Sequence, residues 1–187
     1  MIVRAGTPSD APALATFAAR TFRETFGPDN NPEDLALHLQ RAYGVSQQTA
    51  ELSNPSITTL LVEVQGKLAG FAQLKDGVAP PCVTGAAPLE ILRFYVDRPF
   101  HGHGVAARMM NQVIATARER GARTLWLSVW TRNPRAQGFY SKSGFTVAGE
   151  GIFMVGTDPQ VDHIMVKPLS AGRRTRAMSS PEPSDSR

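Results

Sequence analysis

Cysteine is almost missing: Cys82 stands alone in 187 residues. One thiol excludes an internal disulfide and any metal centre built on cysteines. No apolar run approaches the roughly 20 residues of a membrane-spanning helix. The N-terminus, MIVRAGTPSD, has no apolar stretch of the secretory kind. A reducing, cytoplasmic setting with no membrane partner is therefore expected. Gly-Lys-Ser/Thr is absent, which excludes a phosphate loop of the nucleotide-hydrolysing type. Lys and Arg form no dense stripe interleaved with aromatics, so no nucleic-acid partner is expected.

The length suits one domain with a substantial core. Residues 1–90 carry 6 basic and 9 acidic side chains, residues 91–169 carry 10 and 5, and the last eighteen carry 4 and 2. An anionic ligand on the second part and a cationic one on the first would fit this split. Chance would also produce a split this small. The Ser/Pro/Arg-rich residues 170–187 read as a disordered polar tail, leaving 1–169 as the domain.

What the chain does have is a glycine junction. In Arg98–Val113, RPFHGHGVAARMMNQV, Gly102 and Gly104 join a strand-like run to a helix-like run. Free N–H groups and the positive end of the helix dipole make such a junction an anion site, most often for phosphate. The same two glycines also serve a plain tight turn. A dinucleotide fold is disfavoured: the region about 20 positions on reads Arg118-Glu119-Arg120 at the helix end, and the junction lies mid-chain rather than in a first βα unit.

The pass along the chain gives a strand at Ile2–Arg4 and a helix from Thr7-Pro8 to about Thr25. A second helix starts at Asn31-Pro32 and stops at Gly44, and a third covers Gln47–Leu52. Ile57–Val64 and Lys67–Leu74 form a hairpin about Gln65-Gly66. Asp76–Pro88 is a loop, Leu89–Val96 a strand, Val105–Arg120 a helix and Thr124–Trp130 a strand. A helix from Asn133-Pro134 to Gly144 and strands at Phe145–Gly149 and His163–Val166 close the domain. The alternation implies an α/β fold with a mixed sheet.

Two motifs in combination are specific. Val96-x-x-x-x-His101-Gly102-His103-Gly104-Val105-Ala106 resembles the acetyl-coenzyme A signature of the GNAT N-acetyltransferases, Gln/Arg-x-x-Gly-x-Gly/Ala, with His101 departing at the first position. Asn133-x-x-Ala136-x-x-Phe139-Tyr140-x-x-x-Gly144-Phe145 is similar to the second cofactor motif of that family. Glu24-Thr25-Phe26, Leu89–Val96 and Met154–Met165 with Gln160-x-Asp162 also resemble its polyamine-type branch.

The resemblance implies a single GNAT domain with a mixed, mostly antiparallel sheet of six to seven strands, splayed at a β-bulge beside the cofactor cleft. It implies acetyl-CoA as cosubstrate and direct transfer to a small-molecule amine, a polyamine-like amine first. A protein N-terminus or lysine, or an acyl-CoA sensor without turnover, are the alternatives. Main-chain groups of Phe94 and Val96 would pair with the pantetheine arm. The amides from His101 through Gly102, His103, Gly104 and Val105 to Ala106 would hold the pyrophosphate. Asn133 would touch the pantetheine, caps its helix before Pro134, or does both. Sheet edges in this family often pair, which makes a homodimer compatible with the resemblance.

Tyr140 is the candidate acid, since a phenol is a proton donor at neutral pH; packing beside Phe139 is its plainer role. An alkyl ammonium must lose a proton before it attacks, and Glu90 is the first candidate base. It shares strand parity with Leu92, Phe94 and Val96, so it can face the same cleft as the acetyl group. Glu24 is the second candidate; either carboxylate could instead bind a cationic substrate or sit in solvent. Asp29, Glu33 and Asp34 lie near the expected roof of the acceptor site. The amide near Phe94 or Tyr95 is the expected donor to the developing oxyanion. His101 and His103 lack a third ligand nearby, so no metal is expected. Trp126 and Trp130 read as strand packing and cleft wall.

Overall fold

The computed structural model describes residues 1–169, so the expected tail at 170–187 lies outside the described residues. The strands are β1 (Ile2–Ala5), β2 (Ile57–Val64), β3 (Lys67–Lys75), β4 (Pro88–Val96), β5 (Thr124–Trp130), β6 (Thr146–Val155) and β7 (Asp158–Pro168). The helices are α1 (Ala11–Phe26), α2 (Pro32–Tyr43), α3 (Val45–Ser53), α4 (Val105–Glu119) and α5 (Pro134–Lys142). No helix among the described residues is long and apolar enough to cross a membrane.

The seven strands form one sheet in the order β1-β2-β3-β4-β5-β7-β6. Every neighbouring pair is antiparallel except β4 and β5. The mixed, mostly antiparallel sheet is thus the expected one.

Local signals set the helix starts. The Asn31 side chain accepts from the Glu33 N–H at 2.8 Å, and the Asn133 side chain from the Ala136 N–H at 3.1 Å, each just before a proline. Thr7 begins a short 3-10 turn, Pro8–Asp10, and α1 proper follows.

Each sheet face is covered by its own helices. On one, Met109, Met110 and Val113 of α4 pack with Leu125, Leu127 and Met165, and with Tyr140 of α5. On the other, Leu14, Phe17 and Phe22 of α1 and Leu35 and Leu39 of α2 pack with Leu61, Phe71 and Val155. A glycine at 156 with φ 62° turns β6 into β7, and the turn is pinned to α2: Asp34 accepts from the Thr157 N–H at 2.6 Å and hydroxyl at 2.8 Å.

The last hairpin is longer than its sequence suggests, running to Val155 and back from Asp158 rather than covering only Phe145–Gly149 and His163–Val166. Gly149, Gly151 and Gln160 interrupt the apolar alternation that marks a strand. Pairing across the hairpin supplies what local pattern withholds.

Candidate active site

The site is an opening in the sheet. β4 and β5 pair only through Pro88–Glu90 against Thr124–Trp126. Beyond that rung both strands continue, to Val96 and to Trp130, without pairing to each other. The cause is visible in β4: Gln73 pairs with Arg93 and Leu74 with Ile91, leaving Leu92 as a one-residue bulge. Such an insertion bends the strand and increases its twist, which turns it away from a neighbour.

The main chain beyond the bulge faces the gap. Asp97 donates its N–H to Ala69 C=O at 2.9 Å. Hydrogen-bonded and non-bonded pairs alternate along an antiparallel ladder. Opposite Gly70 and Ala72, Val96 and Phe94 therefore point their N–H and C=O groups away from β3 and into the opening. A cavity of about 650 Å³ runs through it, bounded by both strands, the N-terminus of α4, and α1, α2 and α5.

At the α4 end, Gly102 and Gly104 have φ 81° and 75°, and a Cβ on either would meet nothing within 4 Å. Here glycine is required by the backbone, and the space left is open to a ligand. Arg108 is the first residue to bond back into the helix, to Gly104 C=O at 3.0 Å. Val105, Ala106 and Ala107 thus present uncapped N–H groups, and all three residues line the cavity.

His101 departs from the expected pattern. Its N–H is donated to Arg98 C=O at 3.1 Å, and its Nε2 lies 2.7 Å from Val96 C=O. The residue shapes the turn and occupies one of the carbonyls facing the gap, so its amide is not among the free donors. His103 lies on a smaller neighbouring hollow of about 340 Å³, with Phe100 and Val105.

The bulge also overturns the parity expectation for Glu90. Before it, Leu89 and Ile91 face the α4 side; after it, Phe94 and Val96 do. Glu90 pairs with Trp126 and stands on the other face, with Arg93 and Tyr95, at the apex of the opening. It still lines the cavity, and burial raises its carboxyl above the ordinary range against the pull of Lys75 and Arg93.

Tyr140, 8% exposed, lies on the α4 side with Phe94, Phe139 and Phe145 at ring distances of 6.1, 5.4 and 5.8 Å. Burial pushes its phenol well above the ordinary value. Asn133 and Phe139 line the same wall.

The opposite side is aromatic and acidic. Phe22, Phe26, His38, Tyr43, Trp130 and Phe153 line it, with Glu24, Glu90 and Asp162 as the lining carboxylates. Glu24 is half-exposed and paired with Arg20 at 3.1 Å. Of the acids expected at the roof, none lines the cavity: Asp34 is spent on Thr157, Asp29 pairs with Arg132 at 3.1 Å, and Glu33 is exposed. Trp126 packs against Val83 and Ile164, while Trp130 forms cleft wall.

Two features carry no site role in the sequence. Asp162 is 6% exposed, and burial pushes its carboxyl up to about 6. Its signal was available: in a strand it shares parity with Ile164 and Val166, which pack inward. The second is a buried polar group behind the cavity. Arg93 donates to Glu51 and, at 2.5 Å, to Gln73, while Gln73 and Gln48 donate to Glu51 at 3.1 and 3.3 Å.

Comparison with known proteins agrees with this geometry. The chain is 34% identical over 161 residues to an uncharacterized N-acetyltransferase of Mycobacterium bovis, covering 86% of this chain and 99% of that protein. It is 31% identical over 160 residues to one of Lactobacillus delbrueckii subsp. lactis, covering 86% and 92%. The PaiA N-acetyltransferase of Thermoplasma acidophilum, solved in complex with coenzyme A, has the same fold, with a TM-score of 0.71, 21% identity, and coverage of 90% of this chain and 99% of that one. The acetyltransferase (GNAT) family pattern matches residues 15–145, which take in both glycine-bearing motifs and the split between β4 and β5. A chain that matches over this length and opens its sheet at that point belongs to the GNAT family of N-acetyltransferases, and is an acyltransferase.

Proposed function

We propose that the protein transfers acetyl from acetyl-CoA directly to a primary amine of a small cationic molecule, a polyamine-like amine being the first choice. The observation that carries this reading is the two-sided opening: free amides and an uncapped helix end on one face, buried carboxylates on the other. When bound, acetyl-CoA supplies an acetyl thioester. Its phosphates fit the open cradle at Gly102–Ala107, and its pantetheine arm fits the unpaired edge of β4, where Phe94 and Val96 offer main-chain groups. Asn133, already the cap of α5, lies beside that path.

The residues divide the proton traffic. Glu90 takes a proton from the incoming ammonium, directly or through water, and its burial-raised carboxyl is a stronger base than an exposed one. Tyr140 holds the proton that the departing sulfur needs. The Phe94 N–H, aimed into the gap, meets the charge that develops on the carbonyl oxygen. Glu24, at the cavity mouth, attracts the cationic acceptor.

The test is release of coenzyme A thiol from acetyl-CoA over a panel of amines, amino acids and N-terminal peptides. Turnover confined to small cationic amines is the expected result. Turnover on peptides alone would transfer the activity to protein acetylation, and tight acetyl-CoA binding with no turnover would make the domain a sensor.

Two substitutions probe the parts. Glu90→Gln is expected to lower kcat about 100-fold at neutral pH. Activity should recover as the pH approaches the amine's own pKa, near 10, because the amine then arrives unprotonated. A loss that is flat with pH would remove Glu90 from the role. Gly104→Ala is expected to raise the acetyl-CoA Kd at least about tenfold, through a strained φ and a methyl group in the anion's path. Gly66→Ala is the control: φ there is 73°, a Cβ meets nothing within 4 Å, and the hairpin turn is not part of the cavity. Calorimetric titration should show its affinity unchanged.

A further inference from the structure

One carboxylate in the cleft is used neither by the fold nor by the proton transfers above. Asp162 on β7 lines the cavity at 6% exposure. Among the described residues, no ion pair or side-chain hydrogen bond meets its carboxylate. An acid with little water around it is stabilised by a cation that meets it in the cavity. Its surroundings suit a cation: Phe26 and Trp130, with ring centroids 5.9 Å apart, and Phe153 line the same cavity. Arg132, two residues past Trp130, is stacked on the Trp130 ring at 5.1 Å and paired with Asp29 at 3.1 Å.

Register gives the spacing. Asp162 pairs with Trp130 and Glu90 with Trp126, so both acids stand on one sheet face, four positions apart along β5. Four strand residues span on the order of 13 Å. One ammonium cannot serve both ends of that span, whereas an extended chain with a cation at each end can.

We infer that Asp162 is a specificity residue that holds a second ammonium group of the acceptor, so that the enzyme selects linear diamines and longer polyamines over monoamines. The inference rests on the amine-acetylating reading above.

The experiment compares kcat/KM for a series of α,ω-diamines with the matching n-alkylamines, in the wild type, Asp162→Asn and Asp162→Glu. The wild type is expected to favour diamines at least about tenfold, and Asp162→Asn to bring that ratio near unity. Asp162→Glu should keep the preference but move it to a shorter diamine, because the carboxylate reaches one methylene further. Calorimetric titration of diamine into the protein saturated with coenzyme A should show the same order of affinities without any turnover. An unchanged ratio in Asp162→Asn, or equal losses on diamines and monoamines, would overturn the inference while leaving the amine acetyltransferase standing. No wild-type turnover on any amine would overturn both.

Discussion

Tyr140→Phe is expected to lower kcat by about 100- to 1,000-fold while leaving the KM for acetyl-CoA within about threefold. The substitution removes one hydroxyl and nothing else. The ring is held by Phe94, Phe139 and Phe145, and phenylalanine keeps those edge-on contacts. The thermal midpoint should therefore stay near that of the wild type. The sign of the pH dependence follows from burial, which raises the phenol pKa well above its ordinary value. The hydroxyl stays protonated throughout a neutral to mildly alkaline assay, so the ratio of wild type to variant should not change with pH in that range. Without the hydroxyl, the thiolate must leave unprotonated or take its proton from water. Steady-state kinetics decide the matter: a kcat within twofold of the wild type would make Tyr140 a packing residue only.

Arg93→Ala is expected to destabilise the fold by about 3–5 kcal/mol, because it strands a buried carboxylate. The Arg93 and Glu51 side chains are 12% and 7% exposed, and Gln48 and Gln73 complete the group. With the guanidinium gone, Glu51 keeps three amide donors, from Gln47, Gln48 and Gln73, and no counter-charge. For a domain of this size the thermal midpoint should fall by roughly 6–20 °C. Removing both charges, as in Arg93→Met with Glu51→Met, should cost less than Arg93→Ala alone, because no ion is left behind. Chemical denaturation of the three proteins tests this; a loss below about 1 kcal/mol in the single variant would mean that water reaches Glu51.

The location of the pair gives it a second consequence. Arg93 follows the bulge residue Leu92 directly, and its side chain ties that point of β4 to α3 and β3. It also stacks on Tyr43 at 5.0 Å, within the acceptor wall. The group therefore stabilises the very bend that parts β4 from β5. Acetyl-CoA affinity should weaken in Arg93→Ala even at temperatures where the variant is folded.

Much of this molecule is written locally. The helices begin at Asn31-Pro32 and Asn133-Pro134 because a side-chain oxygen and a proline favour a helix start wherever they fall. The hairpin at Gln65-Gly66, the helical stripe of α4 and the glycine junction at Gly102–Gly104 depend on residues within a few positions of one another. Such features survive any arrangement of the rest of the chain, and they carried the fold class, the family resemblance and the anion cradle.

What the tertiary structure decided is which face each residue meets and what already occupies it. Leu92 is an unremarkable residue in sequence, yet as a bulge it moves Glu90 to the opposite face from Phe94 and Val96. Asp34 looks like an acid free to attract substrate until Thr157, 123 positions away, claims it. His101 is spent on its own loop and on Val96, and Asp162 is turned into the cleft, without an ion-pair partner among the described residues, only when β7 pairs with β5. These outcomes depend on register between strands far apart in the chain, where a slip of one residue exchanges the two faces. Helix caps and turns are settled by neighbours in sequence; the two-sided chemistry of this cleft is settled by strand pairing.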